Sequence, residues 1–170
     1  KGIKGNYNTL YTGVGKINAT MALTKYLTQN PDTEMVINYG TAGGIDPKMK
    51  GMLHIGRFVQ ADMDCTEFGF DMFQTPFETL TQEIVVDHKG FTCYTQDKFC
   101  TVAPEGYCNC VDMEAYALAK VCMSFGVSFK CMKFISDIVG GGDQTADWQA
   151  NKSLGVDMFE SSLKDLIGEK

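Results

Sequence analysis

Two histidines, one tryptophan and a single arginine are all that this 170-residue chain holds of those types. With only His54 and His88 to supply imidazole, a histidine-rich metal centre is excluded, and the Cys108-Asn109-Cys110 spacing is too tight for a zinc knuckle. Arg57 stands alone, no basic run or aromatic-basic interleaving occurs, and the net charge is −6. Nucleic acid is therefore not an expected partner. No apolar run approaches the length of a bilayer span, so no membrane association is expected either. Internal repeats, low-complexity tracts and linkers are missing, which leaves one domain with one core. Seven cysteines form an odd set with no regular framework. In apolar contexts such thiols behave as small hydrophobes, which predicts reduced cysteines, a cytoplasmic protein, and no metal or cofactor.

What is present alternates between strand and helix signals. Tyr7 to Thr12 reads as a strand entering the turn Gly13-Val14-Gly15. Lys16 to Leu27 reads as a helix with Ile17, Met21, Leu23 and Leu27 as candidates to face the core, and Pro31 cannot continue it. The run EMVINY, residues 34 to 39, suits a strand covered on both faces, followed by a glycine-rich corner. Ile55 to Ala61, Glu83 to Asp87 and Phe91 to Thr95 read as strands, the last two as a hairpin around His88-Lys89-Gly90. Glu114 to Phe125 is a helix, Val127 to Ser136 a strand, and Asp147 to Ile167 a last helix weakened by Gly155. The alternation predicts an α/β fold around one mixed sheet.

Three stretches carry chemistry. In NYGTAGGID, residues 38 to 46, three glycines in five residues would let backbone approach a ligand closely, with the Thr41 hydroxyl nearby; a tight turn is the plainer reading. It is neither a phosphate-binding P-loop nor a dinucleotide fingerprint. In VDMEAYALAKVC, residues 111 to 122, Asp112 and Glu114 straddle Met113 before a helix. They suit a helix start, where acids favour the positive end of the dipole, and equally a grip on a polyol such as ribose. In KFISDIVGGGDQTADW, residues 133 to 148, Asp137 ends an apolar strand ahead of three glycines. It either caps a turn or keeps a proton to give to a leaving group.

Taken in order, GVGKINATMAL, VINYGTAGG, VDMEAYALAKVC and FISD resemble the nucleoside phosphorylase and nucleosidase superfamily, nearest to its methylthioadenosine/S-adenosylhomocysteine nucleosidase branch. The likeness runs from about Tyr11 to the C-terminus. It implies a three-layer α/β/α sandwich around a mixed, partly closed central sheet, and cleavage of N-glycosidic bonds with water or phosphate as acceptor. By this resemblance Glu114 accepts hydrogen bonds from the ribose hydroxyls, Met113 packs under the sugar, and Asp112 lies near ribose and nucleophile. Asp137, oriented by Ser136, protonates the purine as general acid. Phe99 stacks on the base, unless it is core, and the Cys100 backbone reads its edge. Thr41, Ala42, Gly43 and Lys133 line the same site, and Trp148 closes over the 5′ group as part of a lid. Cys65, Phe68 and Pro76 match a loop that covers a neighbour's 5′ substituent, implying a homodimer or higher homo-oligomer; a loop folded on its own domain is the alternative.

Two departures stand out. Residues 1 to 10 contain no counterpart of the family's first strand or of the glutamate thought to activate water, so residues 1–170 are expected to form a single domain without that strand. Lys133 replaces the usual arginine and lacks its flat fork. The scarcity of arginine counts against phosphate binding, so hydrolysis of an adenine-containing thionucleoside leads. Phosphorolysis follows, and an idle nucleoside binder is the rival from another class.

Overall fold

The computed structural model describes residues 7–78 and 82–167, and within them six strands form one mixed sheet. The strands are β1 (Met35–Gly44), β2 (Gly51–Gln60), β3 (Glu83–Val85), β4 (Phe91–Thr95), β5 (Cys110–Asp112) and β6 (Ser128–Ile138). Their order is β3-β2-β4-β5-β1-β6, and β2 also pairs with β6, which partly closes the sheet into a barrel. Closure works because β2 changes partner along its length. Gly51–Ile55 runs antiparallel to β6, and Ile55–Gln60 runs parallel to β4.

Helices α1 (Lys16–Gln29) and α2 (Ala115–Phe125) cover one face, while α3 (Gln144–Asn151) and α4 (Gly155–Ile167) lie against β6 and β2. The main core joins Leu23 and Leu27 of α1, most of α2, and Ile55, Phe58 and Cys131 of the sheet. A second cluster puts Phe159 and Leu163 of α4 on Met132, Ile37 and Tyr39. Successive β6 residues thus serve opposite faces, as strand geometry requires. All seven cysteines are free thiols. Burial pushes the Cys108 and Cys122 thiols up to about 12, so they pack as hydrophobes rather than react.

Several local expectations are corrected. In α1 the expected Leu23 and Leu27 are buried, joined by Ala19 at four-residue spacing, but Ile17 and Met21 are 71% and 66% exposed. Residues 7–12 make no strand, since they join no ladder of the sheet. The glycines after EMVINY do not turn the chain; they continue β1 as far as Gly44. The two segments flanking His88-Lys89-Gly90 are not a hairpin, because β3 and β4 pair on opposite sides of β2. Their connection crosses β2 at Gly56, where an added Cβ would sit 2.0 Å from the Asp87 carbonyl oxygen. Finally, the last helix is two helices. They meet at Gly155, whose missing side chain leaves room for Phe134 and the Tyr39 hydroxyl, each 2.5 Å from where a Cβ would be.

Candidate active site

A cleft of about 1350 Å³ opens where the end of β1 meets the ends of β5 and β6. Glycine spacing in β1 shapes its floor. Gly40 is registered opposite Lys133 and Gly43 opposite Asp137, with a bulge between Ala42 and Gly43 bringing the second pair into line. A Cβ at either glycine would stand 3.1 Å from the Lys133 Nζ or the Asp137 Oδ2. These glycines therefore serve close approach by side chains of the neighbouring strand, not positive φ.

At one part of the cleft, Asp137 is buried at the end of β6. The Ser136 hydroxyl donates to its Oδ1 at 2.6 Å and the Gln144 Nε2 donates to its Oδ2 at 2.8 Å. The same Nε2 donates to the Cys100 carbonyl at 2.7 Å, so a side-chain carboxyl and a backbone acceptor converge on one nitrogen. Phe99 is on the cleft wall and 42% exposed, which removes it from the core. Trp148 of α3 donates from Nε1 to the Thr41 Oγ1 at 3.3 Å and so lies against β1, on the cleft.

Elsewhere in the cleft, the Lys133 ammonium meets Asp112 at 2.7 Å with the side chains 1% and 0% exposed. Asp112 is fully engaged. Its Oδ1 accepts from the Thr95 hydroxyl at 2.6 Å, and its Oδ2 accepts from the Ala115 N–H at 2.8 Å. That last bond satisfies the first amide of α2 from the end of β5, whereas no acid lies in the first turn of α2 and Glu114 at its N-cap makes no side-chain capping bond. Burial alone would lower the Lys133 pKa, but Asp112, Cys131, Cys93 and Glu114 together raise it.

Glu114 also lines the cleft, with its Oε1 accepting from the Gly15 N–H at 2.9 Å. Burial lifts its carboxyl above the ordinary value; Lys133 pulls it down and Asp112 adds to the rise. Next to it, Asp97 accepts from the Lys16 N–H at 2.8 Å, and Lys16 Nζ pairs with Asp62 and Asp97. Two distant carboxylates thus hold the first amides of α1, where the helix dipole favours them.

Most of the residues singled out from the sequence come together here: Thr41, Ala42, Gly43, Phe99, Cys100, Asp112, Met113, Glu114, Lys133, Ser136, Asp137 and Trp148 all line the one cleft. Cys65, Phe68 and Pro76 do not line it, and Phe68 is 82% exposed. Sequence reading missed Gln144, Thr95 and Gly40. Only the glycine period in NYGTAGG, set against Lys133 and Asp137, could have hinted at the last. Arg57 pairs with Glu83 at 3.0 Å, away from the cleft.

Comparison with known proteins gives a consistent result. A family model for the Phosphorylase superfamily matches residues 91–167. A 5′-methylthioadenosine/S-adenosylhomocysteine nucleosidase from a Marinomonas species is 34% identical, over 77% of this chain and 68% of the relative. Among solved structures, a 5′-methylthioadenosine/S-adenosylhomocysteine nucleosidase from Neisseria meningitidis in complex with methylthio-immucillin-A superposes with a TM-score of 0.77 at 20% identity, over 92% of this chain and 78% of that one. The futalosine hydrolase of Helicobacter pylori gives 0.82 at 20% identity, over 94% and 78%. At such identities the structural likeness is one of fold.

Proposed function

This chain belongs to the 5′-methylthioadenosine/S-adenosylhomocysteine nucleosidase family within the phosphorylase superfamily, and from that premise we propose that it hydrolyses the N-glycosidic bond of adenine-containing thionucleosides. The observation that carries the reading is that Asp137, the Cys100 carbonyl, Met113 and Glu114 line one cleft. A single nucleoside can then touch a proton donor with its base and a carboxylate with its sugar.

In this reading Phe99 stacks on the purine, the Cys100 backbone meets its edge, and the Asp137 carboxyl gives a proton to the ring. The C1′–N9 electron pair passes to the base, which leaves neutral, and water adds to C1′ while its proton goes to solvent. Positive charge develops on the ribose during this step, so the Glu114 carboxylate gains more from the transition state than from the ground state. Asp112 acts through Lys133, holding the ammonium beside Thr41 on the wall where water attacks. Ser136 orients the Asp137 carboxyl, and Trp148 closes the 5′ end.

Water is favoured over phosphate because Lys133, Lys16 and the single arginine are already engaged in ion pairs, which leaves Lys98 as the cleft-lining lysine outside one among the described residues. Lys133 is paired with Asp112, Lys16 with Asp62 and Asp97, and Arg57 with Glu83. A second copy of the chain fits the exposed apolar residues Tyr11, Val14, Ile17 and Met21 and the loop carrying Cys65, Phe68 and Pro76. Seven unpaired thiols support a reducing, cytoplasmic setting.

The test is incubation with methylthioadenosine, with and without phosphate, following adenine release. Hydrolysis predicts release that is independent of phosphate, and strict phosphate dependence would replace it with phosphorolysis. Asp137→Asn should lower turnover by roughly 10²–10⁴-fold with the fold retained. No release by the wild type, with adenosine-type ligands still raising Tm, would mark an idle binder.

A further inference from the structure

Gln144 is the first residue of α3, buried, and tied to the cleft by three hydrogen bonds. Its Nε2 sits 2.7 Å from the Cys100 carbonyl and 2.8 Å from the Asp137 Oδ2, and its Oε1 accepts from the Gly140 N–H at 3.3 Å. The orientation of the carboxamide is fixed by chemistry, because a backbone carbonyl can only accept and so must face the amide nitrogen. One planar NH₂ group therefore spends both protons on two acceptors from separate parts of the chain.

A 6-aminopurine presents the same pattern. Its exocyclic NH₂ offers two protons in the ring plane, and the adjacent ring nitrogen accepts as the carboxamide oxygen does. We infer, resting on the proposed function, that the Gln144 carboxamide occupies the amino-group position of the base subsite and must withdraw before a purine can bind. It is an intramolecular competitor of substrate and product alike.

The means of withdrawal is adjacent. Gly140-Gly141-Gly142 joins Asp137's strand to α3, and Gly140 and Gly142 have positive φ values of 72° and 32°. The loop can redirect Gln144 without side-chain clashes of its own. On leaving, Gln144 frees both acceptors for the incoming NH₂. After cleavage its return offers the same two bonds in place of the base, which hastens product release.

Competition of this kind has a definite arithmetic. An affinity measured against a site open only part of the time is weakened by the open fraction. The reference state is common to all ligands, so the weakening is the same for every purine and leaves the preference for 6-amino over 6-oxo bases untouched. A net hydrogen bond at the upper end of the usual range corresponds to roughly a tenfold change in affinity.

The experiment is calorimetric titration of the full chain with adenine and with hypoxanthine, for the wild type, Gln144→Ala and Gln144→Asn. Asparagine keeps the polarity but is one methylene too short to span both acceptors. Both variants should bind adenine about tenfold tighter, with hypoxanthine shifted by the same factor. Their Tm without ligand should fall, while Tm at saturating adenine should match the wild type. Unchanged or weaker adenine binding in both variants would overturn the competitor and make Gln144 a contact of the bound base or a purely structural residue. A Tm deficit that persists at saturation would do the same. Failure of the wild type to bind adenine at all would instead overturn the functional reading, and this inference with it.

Discussion

Replacing Lys133 with methionine should destabilise the protein by about 3–5 kcal/mol, because it leaves the Asp112 carboxylate buried without its cation. The structure sets that size. The two charges are 2.7 Å apart, and their side chains are 1% and 0% exposed, so water cannot take the place of the lost partner. Asp112 would keep the Thr95 hydroxyl and the Ala115 N–H, which soften the loss but do not cancel a charge. For a chain of this length the corresponding fall in Tm is about 6–20 °C. Asp112→Asn should cost a similar amount, since it strands the ammonium instead. The double variant Lys133→Met/Asp112→Asn should cost no more than either single change, because no buried charge is left unpaired. Urea titration of the four proteins gives the cycle. The Lys133 share is complete at neutral pH: its pKa is raised in the folded protein, so that share is present below the unfolded value near 10.4 and lost only as pH climbs through the folded one. Additive losses, or single variants costing under about 1 kcal/mol, would show that the two groups are not coupled as drawn.

Four further outcomes follow from the same geometry. Glu114 is held above its ordinary pKa by burial, so its contribution to stability is complete below the unfolded value near 4.3 and is lost as pH rises through the folded one. Glu114→Gln should therefore gain Tm relative to the wild type between pH 4 and 7 while losing turnover; a constant difference across that range would contradict it. In Lys133→Met the attraction that lowers Glu114 is gone, and the acid limb of kcat/KM should move to higher pH. Gly43→Ala places a methyl group 3.1 Å from both the Asp137 Oδ2 and Val139 Cγ2, and it should reduce kcat far more than Tm; normal kcat would mean that Asp137 tolerates displacement. Gly155→Ala drives a methyl to 2.5 Å from Phe134 and the Tyr39 hydroxyl, and calorimetry should register a loss of about 1–3 kcal/mol.

The element types at α2, β4 and β6 were legible because each is a local signal: an apolar face at helical period, or a short apolar run bounded by breakers. Membership of the cleft was also largely legible, since four ordered motifs carry most of its wall. Partnerships were not. The segments around His88-Lys89-Gly90 have hairpin chemistry, yet they flank β2 on opposite sides because Gly56 and Gly90 let the connection pass over that strand. The α1 stripe was half misread for a similar reason. Ile17 and Met21 have the same four-residue spacing as Leu23 and Leu27, and only the position of α2 decides which stripe is covered.

By itself, then, the chain of residues determined an α/β protein with acids at 112, 114 and 137 and glycines where backbone must come close. Only the tertiary structure decided that Asp112 belongs to Lys133, that Glu114 holds the Gly15 amide at the start of α1, and that Gln144 spans Cys100 and Asp137. The reason is range. Periodicity and turn chemistry act over a few residues, whereas these contacts join positions up to 99 residues apart, and they form only where the folded core excludes water and makes an unpaired charge or amide costly.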